Sequence, residues 1–551
     1  MYQSLLVLRF LTSRIMPVIA VLAVALCVTL VIVVVSVMTG FLDMLRASGK
    51  RLVGDVVIQY PVVGIPYYRD LIADIEALDE AEAASPLIET LGIIKMPYGV
   101  QDKGSPEGVD VWAIEPESLD RVLGLRKLLY WRETTEEERS RMAPDDPRRD
   151  PAYDYTAEAM AMMRSNSEHP GIILGIELSP FNHRQRDGSY RTHSHFASEQ
   201  DRGHWMPRYE TSLTLVPVTE SGTLADQRQV AFAIVNEFQT GVFQIDSRRV
   251  MIPLAKGQEI LRLAEAQVPS ETEFEPSGLP KIIGVSPARA TTILVKAAPG
   301  YNAVQLREAI KSVYKRFAQL KAEDPSAVPV PMSIDIMTWE QRMRDLIGPV
   351  EKERGLMQVH FSLVYNVCAG LVLAIFWSIV HEKTRDIGVM RSVGASRTGI
   401  LSIFLAYGLT IGIVGSTVGL GLAWLVISRI NEIHTLMGEP APLWLALTVF
   451  GLAAGAIIGA VVSILRDSAL FTLLWIVGAV LLAGVGVLLL NHKGLLIWDP
   501  SVYYFSRIPN TLDLTNALMT MGFAILFSVI GAAVPAARAA DTDPVRSLRY
   551  E

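Results

Sequence analysis

Six apolar runs constrain this chain more than anything else in it: residues 17–40, 356–380, 399–428, 442–465, 468–490 and 514–537. Each comes close to or exceeds the roughly 20 residues that a helix needs to cross the hydrocarbon core of a bilayer. A chain that is 50% hydrophobic and only 19% charged agrees with that pattern, and together they predict a membrane protein with a large wet part. The first run is longer than the apolar part of a cleavable signal peptide and no small-residue cleavage site follows it, so it reads as an uncleaved anchor. The runs 442–465 and 468–490 are parted only by a link around Arg466 and Asp467, which predicts a tight helical hairpin.

Lysine and arginine near the span ends set the orientation. Arg9 and Arg14 precede the first run, Lys383, Arg385, Arg391 and Arg397 fill the link between the second and third, and Arg538, Arg546 and Arg549 follow the last. With six spans these groups share one side, the cytoplasm, and residues 41–355 lie outside. Arg46, Lys50 and Arg51 begin that outside region, but a loop of such length escapes the charge rule. Within it, 54–60, 91–100, 108–115, 211–218 and 228–238 read as strands, and 69–78, 254–265 and 303–321 as helices. The fold class is therefore an α-helical membrane domain with a large extracytoplasmic α+β domain, expected to have two lobes, between the first and second spans. Residues 132–207 form a polar insertion, whose first part, 132–150, carries charges and two prolines and reads as a mobile surface excursion.

The chain has no GxxxxGK[ST] phosphate loop, nucleophile elbow or HExxH, so it is expected to be non-catalytic and not its own ATPase. His183, His193, His195 and His204 hold four of nine histidines within a short polar stretch; His-x-His suits a metal, but with no cysteine beside it the stretch reads as a solvated loop. Cys27 and Cys368 lie inside apolar runs, which leaves the polar region without a disulfide. The net charge of −7 is spread along the chain with no basic block, which points away from nucleic acid. The membrane runs carry almost no charge at their centres, and glycine is what they have instead. Gly408, Gly412, Gly415 and Gly419 recur at intervals of three and four, as do Gly451, Gly455 and Gly459. Such a face packs closely within one subunit or at a dimer seam.

Between the second and third runs lies EKTRDIGVMRSVGAS, residues 382–396. A helix over about 381–393 puts Ile387, Met390 and Val393 near one face and Lys383, Arg385 and Arg391 largely elsewhere. It is either a loop whose charges satisfy the orientation rule or a docking helix that passes force from a soluble partner into the spans.

This stretch, followed by a glycine-rich span, resembles the signature of the FtsX-like permease domain, shared by MacB-type ABC transporters and the lipoprotein-releasing LolC/LolE permeases. The resemblance continues in VVSVMTGF (34–41), GVDVWAIEPES (108–118), PGIILGIEL (170–178), FQTGVFQIDSRRVMIPLAKGQEIL (238–261), TWEQRMRDLI (338–347), DPSVYYFSRIPNTLD (499–513) and the ending PAARAADTDPVRSLRYE (535–551). It is closest to the LolC/LolE branch. The resemblance implies a non-catalytic permease subunit in the bacterial inner membrane with its large domain in the periplasm. It also implies three parts: 1–40 with the first span, 41–355 outside, and 356–551 as the permease domain with a coupling helix at 381–394. Its partners would be a cytoplasmic LolD-like ABC ATPase, which supplies the ATP and Mg site, and a second permease subunit, identical or not. No cofactor is bound by this chain itself.

By the same resemblance, Glu382, Lys383, Arg385, Asp386, Arg391 and Gly394 would form the ATPase contact. Val34, Val37, Met38, Phe41, Met357, Phe361 and Val364 would meet lipid or lipoprotein cargo on its way to the outer membrane. The chain departs from the pattern in three places. The family core has four spans, so 442–490 is an extra hairpin; 132–207 enlarges the outside domain; and 218–228, where a hook for a periplasmic carrier would fall, is short and polar. The same fold also serves MacB-like efflux and FtsX-like control of a cell-wall hydrolase, which stand as the alternative functions.

Overall fold

The apolar runs are helical in the computed structural model, which describes residues 15–96, 106–142, 144, 146–179, 182–184, 190–192, 210–217, 227–274, 280–322, 328–438, 442–465, 469–490 and 508–541. They give α1 (Ile15–Val53), α2 (Arg344–Glu382), the short α3 (Thr384–Ser392), α4 (Arg397–Gly438), α5 (Leu443–Leu465), α6 (Ala469–Leu490) and α7 (Leu514–Ala540). Among the described residues, five of these helices are long and apolar enough to cross a membrane, and the apolar stretch Trp475–Leu490 of α6 is shorter. All six expected runs are helical among the described residues, α6 itself running 22 residues from Ala469 to Leu490. α1 and α2 also outrun their apolar stretches, to Val53 and from Arg344, α2 with Pro349 inside the helix. The chain divides into two compact units at Asp43/Met44 and again at Gly348/Pro349.

The membrane unit has one buried core, drawn from α1, α2, α4 and α7 with Ile387 of α3. Lipid is as apolar as leucine, so helices associate there through close packing and polar bonds. The glycines of α4 supply both. A Cβ on Gly408 would lie 2.6 Å from Ala532 Cβ, and one on Gly412 3.0 Å from Ile525 Cα, both on α7. On the other side of the stripe, a Cβ on Gly415 would lie 2.8 Å from Val24 Cβ and one on Gly419 2.7 Å from the Ala25 carbonyl, both on α1. Ser528 Oγ donates to the Gly408 carbonyl at 2.9 Å, and Thr29 Oγ1 to the Gly419 carbonyl at 3.0 Å. The α4 glycine face is thus used inside one subunit. α5 and α6 pack on each other, Trp475 against Gly459 and Phe450 against Gly486, and among the described residues neither supplies a side chain to the four-helix core.

The other unit is built on one nine-stranded sheet. Its strands are β1 (Val56–Gln59), β2 (Ala81–Lys95), β3 (Glu107–Ile114), β4 (Gly171–Gly175), β5 (Glu210–Leu215), β6 (Arg228–Phe238), β7 (Arg249–Pro253), β8 (Thr292–Ala297) and β9 (Asp335–Thr338). They lie in the order β9-β1-β8-β2-β3-β7-β4-β6-β5, and β5 also pairs with the end of β2, Gly92 opposite Leu215. Six strands, β2-β3-β7-β4-β6-β5, therefore close into a ring, while β8, β1 and β9 extend from the first half of β2 as an open sheet. The ring and the open sheet share this one long strand. Gly92 sits where closure is tightest: a Cβ there would lie 2.8 Å from Leu215 and 2.9 Å from Val111 side-chain atoms. The helices Tyr68–Glu76 and Ala303–Leu320 contribute Leu71, Ile75, Leu306, Ile310 and Phe317 to the core.

The described part of 132–150 is folded, contrary to the expectation of a mobile excursion. Thr135 and Glu138 form a capping box on the helix Glu136–Arg141, Arg132 pairs with Glu138 at 2.6 Å, and Arg148 pairs with Asp146 at 2.6 Å while stacking on Tyr130 at 4.2 Å. Charges of both signs that read as disorder in composition satisfy one another here. The root of the insertion is tied to β6. Trp131 Nε1 donates to Glu237 Oε2 at 2.9 Å and Asn182 Nδ2 to the same oxygen at 2.7 Å, and Asn236 bonds the Trp131 backbone on both sides. Glu237 is fully buried, and that burial raises its carboxyl to about 7; burial likewise raises Asp246 to about 6.

Two predictions follow from these units. Gly415→Val should destabilise the membrane unit by about 1–3 kcal/mol, the usual cost of overpacking, read as a lower melting temperature in detergent. Glu237 and Asp246 bind protons more tightly folded than unfolded, so their contribution to stability is fully present below their unfolded pKa values and is lost as pH rises through about 6 to 7. The unfolding midpoint of the full chain, followed by tryptophan fluorescence, should therefore fall across that window. Glu237→Gln should remove much of the fall.

Candidate functional site

Five residues, Ser392 to Ser396, make the corner between α3 and α4. Gly394 has φ +108°, a left-handed conformation that glycine adopts without strain. The Ala395 N–H donates to the Met390 carbonyl at 2.9 Å and the Gly394 N–H to the Arg391 carbonyl at 3.1 Å, the paired bonds of a Schellman stop. Ser396 Oγ then accepts from the Gly399 N–H at 3.1 Å and caps α4. The chain thus ends one helix and starts the next without leaving the corner, which keeps α3 as a stiff crosspiece between two spans.

α3 is fastened to the core at two points. Ile387 is fully buried among residues of the helical core. Arg391 Nη1 donates to the Ala540 carbonyl at 2.6 Å, at the end of α7 where the helix dipole favours a cation. Nearby, the Arg538 guanidinium lies 5.0 Å from the Trp377 ring centre.

The six residues expected to meet an ATPase divide accordingly. Glu382, Arg385 and Asp386 are exposed, and Lys383 is half-buried and pairs with Asp386 at 2.8 Å. Arg391 is half-buried and holds α7, and Gly394 forms the turn. Of the expected apolar face, Ile387 and Met390 pack on the core and Val393 does not. Ile387 points inward, but Val393 is 84% exposed and Val389 46% exposed. Residues 387 and 389 lie on opposite sides of a helix, so an apolar ridge of Val389 and Val393 looks outward beside Arg385 and Asp386.

At the other end of the same core, α1, α2 and α7 enclose a cavity of about 470 Å³. α1 lines it with Val31, Val35 and Met38; α2 with Arg354, Met357, Gln358, Phe361, Ser362 and Tyr365; α7 with Asn516, Met519, Thr520, Phe523 and Phe527. Tyr365 stacks on Phe527 with ring centres 5.7 Å apart, and its hydroxyl bonds Thr520. The walls are mostly apolar, with Arg354, Gln358, Ser362, Asn516 and Thr520 as the polar part of the lining. Of the seven expected contacts, Met38, Met357 and Phe361 line the cavity. Val34, Val37, Phe41 and Val364 do not; Phe41 is buried and Val364 packs on the core. The whole α7 wall is new. Its sequence signal is the spacing of Asn516, Met519, Thr520, Phe523 and Phe527 at three and four, one face of a helix.

Among the described residues no group of three or more His, Cys, Asp or Glu side chains could hold a metal. His193, His195, His204 and the region 218–226 lie outside the described residues, as does the tail beyond Asp541; the His183 side chain is also outside them.

Residues 361–468 match the model of the FtsX-like permease C-terminal domain. The match takes in most of α2, the α3 corner, α4 and α5. The chain is 21% identical over 334 residues to the lipoprotein-releasing system transmembrane protein LolC of Neisseria meningitidis, covering 61% of this chain and 58% of that protein. It is 22% identical over 239 residues to the lipoprotein-releasing system transmembrane protein LolE of Haemophilus influenzae, covering 42% and 45%. The chain thus spans about half the length of these relatives. Among solved structures, the periplasmic region of MacB from Actinobacillus actinomycetemcomitans aligns with 54% of this chain and 95% of its own, at 10% identity and a TM-score of 0.22.

In this permease domain Gly394→Val should strain the corner by about 1–2 kcal/mol, the scale of a left-handed turn without glycine. Hydrogen exchange should quicken at residues 390–400 while the α4 interior around Gly412 stays protected.

Proposed function

We propose that this chain is the transmembrane permease subunit of a mechanotransmitting ABC transporter that extracts lipoproteins from the inner membrane, powered by a separate cytoplasmic ATPase. The observation that carries the reading is the cavity between α1, α2 and α7, set in the same helical core that holds the α3 corner. Its volume falls within the roughly 300–1,000 Å³ of ligand sites, and its apolar walls suit acyl chains. Moving such chains out of a bilayer costs about 0.8 kcal/mol per methylene, tens of kcal/mol for a multiply acylated protein, so the work needs an external energy source. The Val389 and Val393 ridge, flanked by Arg385 and Asp386, suits a groove on a soluble ATPase, apolar at its centre and charged at its rim. On this reading the cytoplasmic side holds α3, the periplasm holds the α/β unit, and ATP and Mg belong to the partner. A second permease subunit completes the machine.

Depleting the protein in its host and fractionating the membranes is the decisive experiment. Acylated proteins should accumulate in the inner membrane; unchanged sorting overturns lipoprotein release and favours efflux or cell-wall signalling. The docking assignment is tested separately. Val389→Asp with Val393→Asp should weaken ATPase association about tenfold or more, the scale of one hot-spot residue, and Glu382→Lys should uncouple ATP hydrolysis from transport. Retained association and coupling in both variants would remove α3 as the docking element.

A further inference from the structure

Among the described residues, Arg354 is the one charged side chain in the cavity lining, and the reading above gives it nothing to do. It is half-buried and forms neither an ion pair nor a hydrogen bond there. Asp513, at the start of α7, is not its counter-ion: that carboxylate accepts from the Thr515 N–H at 2.9 Å and from Asn516 Nδ2 at 2.8 Å. The register of α2 on α7 fixes the end of the cavity that Arg354 occupies. Tyr365 lies against Phe523 and Phe527, with ring centres 6.0 and 5.7 Å apart, and one turn further along α2 the Ala369 carbonyl meets Gly531. The two helices therefore run side by side in the same direction. Arg354 precedes Tyr365 by 11 residues and Asn516 precedes Phe527 by 11, about 16 Å of helix in each case. The cavity is thus graded, with a guanidinium and the Gln358 and Asn516 amides at one end and the rings of Tyr365, Phe523 and Phe527 at the other. A cation beside hydrocarbon is costly until an anion meets it, and no side chain of the lining does. The acyl linkages of a lipoprotein are neutral esters and amides, so lipoprotein release does not call for the charge either.

We infer that the cavity binds an acyl chain whose head carries a negative charge, phosphate or carboxylate, with the Arg354 guanidinium meeting the head and the aromatic end taking the chain. A guanidinium offers parallel N–H donors that match the oxygens of either head, so Arg354 selects anionic lipids over neutral ones. The inference rests on the cavity as an acyl site, which is one part of the reading above, and not on lipoprotein release.

The test uses the full-length protein in dodecyl maltoside, a detergent with an uncharged head. Ionised cis-parinaric acid should bind with a fluorescence rise that saturates, and its methyl ester should bind about tenfold or more weakly, the scale of one hydrogen bond to a charged group. Arg354→Gln should bring the acid down to the affinity of the ester and leave the ester unchanged, while Arg354→Lys should keep part of the preference. Lys352→Gln, which removes an exposed cation of the same helix outside the lining, should keep all of it. Equal binding of acid and ester by wild type, or the same loss in Lys352→Gln, overturns the charge selection, while ester binding still upholds the cavity as an acyl site. Failure of both probes to bind wild type overturns the acyl site and the selection together. Competition then distinguishes the two heads. Displacement of bound parinarate by dioleoylphosphatidylglycerol assigns a phosphate head and displacement by oleate alone a carboxylate, and either result supports the inference; equal displacement by dioleoylphosphatidylcholine overturns it.

Discussion

The membrane unit depends on how closely α4 lies against α1 and α7. A bilayer gives helices no hydrophobic reason to associate, so contact must come from backbones that approach within van der Waals range and from the polar bonds such approach permits. Gly408 and Gly412 bring α4 onto α7, Gly415 and Gly419 bring it onto α1, and the Ser528 and Thr29 hydroxyls close each seam on a glycine carbonyl. Each such bond is worth only about 0.6 kcal/mol on average in a membrane, so shape carries most of the specificity. Everything else in the unit is placed by this packing, including the cavity, whose α1 and α7 walls are the two helices α4 holds.

The α/β unit solves a different problem. A sheet that extends on both sides of one long strand must change partners along that strand, and β2 does so, pairing with β8 over its first half and with β5 at its end. Gly92 supplies the room for the second partner. The ring that results has a polar seam where the insertion leaves it, and there Glu237 accepts two hydrogen bonds on one buried oxygen. Burial of an unpaired carboxyl is expensive, and this one is tolerated because Trp131, at the start of the insertion, and Asn182, within it, both donate to it.

Much of this was legible in the sequence because the signals are periodic. The strand patterns at 108–115 and 228–238 fall on β3 and β6, and the helical patterns at 69–78 and 303–321 fall on Tyr68–Glu76 and Ala303–Leu320. The α4 glycine stripe was visible too, though spacing alone left open whether its partner was the same chain. What failed did so for physical reasons. The stretch 132–150 has the composition of a disordered segment, and composition is blind to which arginine meets which carboxylate. Val393 does not share the face of Ile387 and Met390 with which it was grouped: at about 3.6 residues per turn it lies about a third of a turn from Ile387 and close to Val389, and it faces outward with Val389. The cavity was half read: Met38, Met357 and Phe361 sit on the two helices singled out, but the third wall comes from α7, some 150 residues away in sequence, where only tertiary packing could bring it.

Arg391 shows why the corner and the cavity belong to one device. A basic residue in such a loop reads as a surface charge or a partner contact, yet its guanidinium is committed to the last turn of α7. α7 runs from that acceptor, Ala540, back to Phe523 in the cavity wall, 17 residues or about 26 Å of continuous helix. α2 reaches the corner from Tyr365 through Glu382, and α4 leaves it through the Ser396 cap. A push on the outward ridge of α3 is therefore delivered to α2, α4 and α7 together. Two of these are cavity walls, and the third, α4, holds α1, the remaining wall. A helix is stiff along its axis and a glycine seam fixes its rotation, so on the proposed reading the cavity cannot keep its shape when α3 moves. On that reading the coupling needs no moving part in the bilayer beyond the helices themselves, with Arg391 tying α3 to the end of α7.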